Sequence, residues 1–102
     1  MPVDPRFYAP LGALTLKDLA ERTGSELHGD ESLQITGLSS AGTGRRGDIG
    51  FVDGDGKAPV EISADISALF VNAANVKHVP ENVAFLVTSV PRYAHGAAAL
   101  AM

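Results

Sequence analysis

Apolar side chains at helical spacing mark one segment near the start of the chain. Residues three and four positions apart lie on one face of a helix, and this spacing is shown by Leu16, Leu19 and Ala20. Thr15 and Asp18 form a Ser/Thr-x-x-Asp/Glu pattern, which satisfies free N–H groups in a first helical turn. Gly24 suits the left-handed residue that ends a helix. The pattern predicts a helix over residues 16–23.

Short apolar runs separated by turn residues predict a set of strands. Residues 68–71 (ALFV) and 84–87 (AFLV) are uninterrupted apolar runs, a pattern typical of central strands covered on both faces. Less regular patterns predict three further strands, at residues 25–28, 33–38 and 49–52. The second of these is interrupted by Gly37, which indicates a bulge or a close backbone approach. Residues 60–65 fit either a short helix or an extended segment.

The alanine-rich stretch at the end of the chain predicts a second helix. Pro91 suits the first turn of a helix, and Ser89 is a candidate cap for it. The stripe expected to face the core consists of Tyr93, Ala97, Leu100 and Ala101. The pattern runs to the last residue without a glycine to end it, which predicts that the chain is a piece of a longer protein.

These elements predict one α/β domain over residues 15–102, with a small mixed β-sheet flanked by two or three helices. A chain of 102 residues is the length of a single domain. Residues 1–14 contain three prolines, which block regular backbone hydrogen bonding, so an irregular arm is predicted there.

Composition and charge exclude several functional classes. The net charge of −4, from 8 basic and 12 acidic residues, argues against a surface for duplex nucleic acid or an anionic membrane. Arg45–Arg46 is the only adjacent basic pair in the sequence. With no cysteine, disulfides and thiolate chemistry are excluded. No segment approaches the roughly 20 apolar residues of a membrane span, and the start of the chain lacks a signal-peptide pattern. We therefore expect a cytoplasmic protein.

Two glycine-rich segments match three kinds of known binding loop only in part. Gly42–Gly47 (GTGRRG) has the spacing of a dinucleotide-binding loop, but a strand pattern follows it where pyrophosphate binding needs a helix. In FVDGDGKA, a phosphate-binding P-loop would require glycine at Phe51 and a hydroxyl at Ala58. A calcium loop beginning at Asp53 would place Lys57 among the ligands. The sequence therefore favours ordinary turns in both segments rather than a dinucleotide, phosphate or calcium site.

Candidate catalytic and metal-binding groups are scattered rather than clustered. The three histidines, His28, His78 and His95, share no close spacing with one another or with a common carboxylate. No serine lies in a nucleophile-elbow pattern. The sequence therefore predicts no catalytic residue, no metal and no cofactor in this chain.

The order of motifs resembles a known family along residues 13–102. Three stretches are similar, in the same order, to the amino-terminal domain of UDP-3-O-acylglucosamine N-acyltransferases. They are TLKDLAERTGSELHGDESLQITGLSSAGTGRRGDIGFV, ALFV, and AFLVTSVPRYA with the alanine-rich helix that follows it. These enzymes act in lipid A biosynthesis for the lipopolysaccharide of Gram-negative bacteria. The resemblance implies a small α/β unit, with a fold like that of the amino-terminal domain of Mur ligases, that binds the uridine end of a UDP-sugar.

The resemblance also implies where uridine would bind. The family pattern is a phenylalanine at the end of a strand, an asparagine three residues on and a tyrosine six residues on; the two rings sandwich uracil. Phe51 matches the phenylalanine, whereas Gly54 and Lys57 occupy the other two positions. We therefore expect a nucleotide-binding set of Phe51, Asp53, Gly54 and Lys57, with Lys57 contacting phosphate or stacking on uracil.

The remaining implications concern parts that this chain does not contain. In the family, acyl transfer and trimer formation belong to a following β-helix domain, which also meets acyl carrier protein. The chain alone would then bind a UDP-acylglucosamine substrate without acylating it and would be monomeric. Two alternatives stay open: a stand-alone structural or protein-interaction domain with a decayed nucleotide site, and the amino-terminal UDP-binding domain of a Mur ligase.

Overall fold

The computed structural model describes residues 14–57 and 60–101. Its strands are β1 Leu14–Thr15, β2 Glu26–His28, β3 Gln34–Ile35, β4 Gly37–Leu38, β5 Asp48–Val52, β6 Ala68–Val71 and β7 Ala84–Val87. Its helices are α1 Leu16–Thr23, a 3₁₀ helix Ala73–His78 and α2 Pro91–Ala101. The irregular arm predicted for residues 1–13 lies outside the described residues, whereas Leu14, predicted to end that arm, pairs with Ile35 in β1.

The main sheet has five strands in the order β2-β7-β6-β5-β4. Strands β4 to β7 run parallel to their neighbours, and β2 joins the β7 edge in the antiparallel direction. A separate two-stranded ribbon joins β1 to β3. The prediction of an α/β domain with a small mixed sheet and two or three helices is confirmed.

Helix α1 begins and ends at the predicted residues because its caps form. Thr15 Oγ1 accepts a hydrogen bond from the Asp18 N–H at 3.2 Å, and Asp18 Oδ2 accepts one from the Thr15 N–H at 3.3 Å. Gly24 closes the helix with φ 66°, in the left-handed region. A cap of this kind stabilises a helix by about 1 kcal/mol. The helix's own Leu16 and Leu19 side chains are fully buried.

The main sheet separates two layers of apolar side chains. On one side, here called the helical face, α1 and α2 cover a cluster of Leu16, Leu19, Ile35, Ile49, Ala68, Phe70, Leu86, Ala94 and Ala98. On the other side, here called the loop face, loops and the 3₁₀ helix cover Ala41, Val52, Ile66, Leu69, Val71 and Val83. Strand β6 is buried along its whole length, as its apolar run predicts.

Between the helices, one predicted strand is divided, one open alternative is decided and one element was missed. Residues 33–38 form two short strands in different sheets, because the chain leaves the ribbon after Ile35 and pairs Gly37 with Asp48. Of the two alternatives for residues 60–65, the short helix does not form, and the segment pairs in no sheet of the described residues. The 3₁₀ helix Ala73–His78 was not predicted at all.

The predicted core stripe of α2 is wrong. Tyr93 is 76% exposed and Leu100 is 93% exposed, whereas Ala94 and Ala98 are buried. The helix lies against β5 and β6, and small side chains at that contact allow a close approach. Pro91 is the first helical residue, as predicted. The N–H of Val90, the residue before the helix, donates to Thr88 Oγ1 at 3.2 Å and not to the predicted cap, Ser89.

No helix within residues 14–57 and 60–101 combines the length and apolar character that a bilayer crossing requires.

Candidate functional site

Phe51 lies one residue from the carboxyl end of β5, with its half-buried ring on the helical face. The ring meets the His95 imidazole of α2 with centroids 5.0 Å apart and planes tilted by 51°. The guanidinium carbon of Arg92 lies 5.9 Å from the ring centroid, within cation–π range. The ring therefore packs partly against α2 and keeps the rest of its surface in contact with solvent.

His95 is held in place by the backbone of the same strand. Its Nε2 donates a hydrogen bond of 3.0 Å to the carbonyl oxygen of Ile49. A carbonyl only accepts, so the proton of this contact is on Nε2. His95 thus has a structural partner and joins α2 to β5 next to Phe51.

The glycine-rich turn after β5 is closed by its own aspartates. Asp53 Oδ1 accepts from the Gly54 N–H at 2.7 Å, and Asp55 Oδ1 accepts from the Lys57 N–H at 2.9 Å. Such side-chain-to-backbone bonds are the normal role of aspartate in turns. Both carboxylates also remain exposed to solvent, at the same end of β5 as Phe51.

Two glycines allow this turn to follow its path. Gly54 has φ 101° and Gly56 has φ 77°, values that other residues rarely adopt. A Cβ at Gly56 would collide with the backbone carbonyl of Ala74, whereas one at Gly54 would point into open space. An asparagine at position 54 would therefore be strained in this backbone, although it would have room.

The 3₁₀ helix holds the turn through two asparagines. The carbonyl oxygen of Gly54 accepts from Asn72 Nδ2 at 2.8 Å and from Asn75 Nδ2 at 3.2 Å. Asn75 Nδ2 also donates to Asn72 Oδ1 at 2.6 Å. Asn75 is only 1% exposed, and within the part of the chain that the structure describes its Oδ1 has no hydrogen-bond partner. His78 Nε2 adds a 2.9 Å contact to the Gly56 carbonyl.

The four predicted nucleotide-binding residues, Phe51, Asp53, Gly54 and Lys57, gather at the carboxyl end of β5. Sequence reasoning missed the residues that long-range packing brings to them: Arg92 and His95 from α2, and Asn72 and Asn75 from the 3₁₀ helix. The local signal for the asparagines was their spacing of three residues directly after an apolar strand. No comparable signal links residue 51 to residue 92 or 95.

Three of the clefts formed by described residues are well defined, and none of these three is lined by Phe51, Asp53, Gly54 or Lys57. One, of about 770 Å³, opens at the carboxyl ends of β6 and β7 and is lined in part by Asn72 and Thr88. The other two, of about 430 and 660 Å³, open at the opposite end of the sheet, where β6 and β7 begin.

The charged side chains of the described residues do not assemble a metal site. No group of three or more histidine or acidic residues within residues 14–57 and 60–101 could hold a metal ion. The arrangement around Phe51 instead offers an aromatic ring, a guanidinium and a glycine turn, which are groups that bind and orient a ligand. No family model matches the chain.

Proposed function

We propose that the chain is a nucleotide-sugar recognition domain in which the uracil of a UDP-sugar stacks on the ring of Phe51. The observation that carries the proposal is the half-buried Phe51 ring at the carboxyl end of β5, 5.9 Å from the Arg92 guanidinium. Ligands of open α/β sheets bind outside the carboxyl ends of parallel strands. Because Arg92 lies over the ring, its guanidinium would have to move aside for uracil to stack there, and it could then contact the phosphates of the ligand.

The sequence resemblance supplies the identity of the ligand in this proposal. The domain would be the substrate-binding part of a lipid A N-acyltransferase, with a fold related to the amino-terminal domain of Mur ligases. It would bind UDP-acylglucosamine in the cytoplasm. Acyl transfer, contact with acyl carrier protein and trimer formation would belong to the β-helix domain of the full-length enzyme.

Binding is expected to be weaker than in a complete sandwich. Stacking on one aromatic ring contributes about 1–3 kcal/mol, and Lys57 stands where the second ring is expected. Gly54 cannot supply the amide of an asparagine. The Asn72 amide lies next to the turn but already donates to the Gly54 carbonyl. Loss of one ring and one edge hydrogen bond would weaken uridine binding by roughly tenfold to a few hundredfold.

A second candidate is a structural or protein-interaction domain whose nucleotide site has decayed. The observation that favours it is the internal pairing of the site: the Gly54 and Gly56 carbonyls accept from side chains of the 3₁₀ helix, and the Phe51 ring contacts α2. A turn that is already satisfied has fewer groups to offer a ligand.

Amide shift mapping separates the two candidates. Uridine, UMP and UDP are titrated separately into ¹⁵N-labelled protein. The nucleotide-binding proposal predicts saturable shifts centred on residues 50–57, with uridine alone sufficient to produce them. An absence of shifts at millimolar ligand, or shifts confined to another surface, would reject the proposal in favour of the second candidate.

A further inference from the structure

A groove lies at the end of the sheet where the parallel strands begin, opposite the end that carries Phe51. The proposed function does not use it. This basic groove has a volume of about 660 Å³, and its lining includes Leu33, Arg45, Arg46, Asp65, Ser67 and Asn82. Its walls come from the segments that precede β3, β5, β6 and β7. Small-molecule sites typically have volumes of about 300–1,000 Å³, so the groove can hold a metabolite-sized ligand.

Arg45 and Arg46 both line this groove. They are the only adjacent basic residues in a chain whose net charge is −4. Both side chains are exposed, and with respect to the described residues neither forms a salt bridge or a side-chain hydrogen bond. Their donor groups are therefore available to a ligand.

The turn that carries the arginines is held rigidly by hydrogen bonds. The Arg45 N–H donates to Asp48 Oδ2 and the Asp48 N–H donates to the Arg45 carbonyl, both at 3.0 Å. The Gly47 N–H donates to Ser67 Oγ at 2.7 Å. Gly47 has φ 93°, and a Cβ there would lie 2.6 Å from Thr36 Oγ1, so glycine is required. A preformed turn lowers the entropic cost of binding.

Hydrogen-bond donors dominate the polar lining of the groove. Besides the two guanidinium groups, the Ser67 hydroxyl keeps its own proton to donate, because its oxygen accepts from Gly47. Asn82 Nδ2 uses one proton on the Ala64 carbonyl at 3.3 Å and has a second. Asp65 is the single acidic residue among the lining residues and is exposed. Donors from several directions match a tetrahedral oxyanion better than a planar carboxylate.

We infer that the basic groove binds the phosphate group of a small soluble phosphate monoester, with Arg45 and Arg46 as the principal ligands. The GTGRRG motif is then an anion-binding turn between strands rather than the dinucleotide loop whose spacing it shares. The inference does not depend on uridine binding at Phe51, because the two sites lie at opposite ends of β5. A phospholipid surface is disfavoured as the source of the phosphate by the net negative charge of the chain.

The neighbouring cleft restricts the rest of the ligand. It shares Leu33, Ser67 and Asn82 with the basic groove and is lined beyond them by Asp30 and Glu81. A second anionic group on the ligand would meet these carboxylates. The part of the ligand beyond the phosphate is therefore uncharged or carries an amine.

A matched pair of double variants tests the inference. Amide shifts are followed in ¹⁵N-labelled protein at constant ionic strength with inorganic phosphate, glycerol 3-phosphate and acetate as separate probes. Arg45→Gln/Arg46→Gln removes the proposed ligands, and Lys17→Gln/Arg22→Gln removes the same charge from exposed positions on α1. We expect phosphate to produce saturable amide shifts at Arg45–Asp48 and Ser67. The phosphate affinity obtained from these shifts should fall by about tenfold or more in Arg45→Gln/Arg46→Gln and stay unchanged in Lys17→Gln/Arg22→Gln.

The other outcomes overturn the inference. Equal weakening in both variants, or equal binding of acetate, would show unspecific attraction between charges. Cosedimentation with vesicles containing phosphatidic acid would assign the groove to a lipid instead of a soluble ligand. Uridine carries no phosphate, so shifts at residues 50–57 with uridine and none at Arg45–Asp48 with phosphate would leave the proposed function standing and remove this one.

Discussion

The imidazole Nε2 of His95 donates a 3.0 Å hydrogen bond to the carbonyl oxygen of Ile49, 46 residues earlier in the chain. The same imidazole meets the ring of Phe51 at 5.0 Å. One side chain of α2 therefore satisfies the backbone of β5 and supports the aromatic ring that the proposed site depends on. The orientation of Phe51 is a consequence of this helix–strand contact.

Replacing His95 with alanine is expected to destabilise the fold. The change leaves the Ile49 carbonyl without its side-chain donor and removes the ring beside Phe51, which should cost about 1–3 kcal/mol of unfolding free energy. Urea denaturation measures this cost. The comparison variant is His28→Ala, which also removes an imidazole from an aromatic neighbour, Phe85 at 4.7 Å, but from a side chain that is 46% exposed and has no hydrogen bond to the backbone of the described residues. Equal losses in the two variants would contradict a special role for His95.

The two glycines of the turn should respond differently to alanine. Both variants place a Cβ at positive φ, which costs about 1 kcal/mol at Gly54, where the space is open. Gly56→Ala should cost about 2 kcal/mol or more, because the added Cβ also collides with the Ala74 carbonyl. Thermal unfolding of the two variants compares them directly. A Gly56→Ala variant no less stable than Gly54→Ala would show that the turn can shift away from the 3₁₀ helix.

Asn75 is expected to fix the turn to the 3₁₀ helix. Asn75→Ala removes donors to the Gly54 carbonyl and to Asn72 Oδ1, and it should cost about 1–3 kcal/mol. Hydrogen exchange at the Lys57 amide should accelerate with it. Asn82→Ala is the control, because Asn82 is exposed and makes a single 3.3 Å bond to the Ala64 carbonyl. Unchanged exchange at Lys57 in Asn75→Ala would contradict this assignment.

Asp30, in the cleft beside the basic groove, should have a pKa below that of an ordinary aspartate. The Ser32 hydroxyl and the Ser32 N–H donate to Asp30 Oδ1 at 2.6 and 2.9 Å and hold the pKa of Asp30 below its usual value. Because the folded-state pKa is lowered, the stabilisation is present above the unfolded pKa and is lost as pH falls through the folded one. Ser32→Ala should raise the Asp30 pKa in a carboxyl NMR titration. A pKa unchanged by this variant would show that the hydroxyl bond does not form in solution.

Local sequence signals predicted the elements whose ends are set by nearby residues. Helix α1 follows from the Thr15–Asp18 capping box and Gly24, and strand β6 follows from its uninterrupted apolar run. Both signals depend only on neighbours in the chain. The buried side of α2 could not be read in this way, because an alanine-rich helix has a small hydrophobic contrast between its faces. Its large residues Tyr93 and Leu100 are exposed and its alanines face the sheet.

The predicted site was incomplete for a related reason. The position of Phe51 at the end of β5 is local and was predicted correctly. Its contacts with Arg92 and His95 depend on how α2 crosses the sheet, which no spacing in the sequence encodes. The anchoring of the Gly54 carbonyl by Asn72 and Asn75 likewise depends on a 3₁₀ helix with no apolar periodicity to mark it.

The central claim, that Phe51 stacks on uracil, is tested most directly by the affinity for UDP of a matched pair of variants. Phe51→Leu keeps apolar volume but removes the aromatic face, and Phe85→Leu makes the same change on the half-buried Phe85 ring of the loop face. Stacking predicts that calorimetric affinity falls by roughly 5- to 100-fold in Phe51→Leu and stays within about twofold of the parent in Phe85→Leu. Equal affinities in the two variants, or no UDP binding by the parent protein at millimolar concentration, would contradict the account.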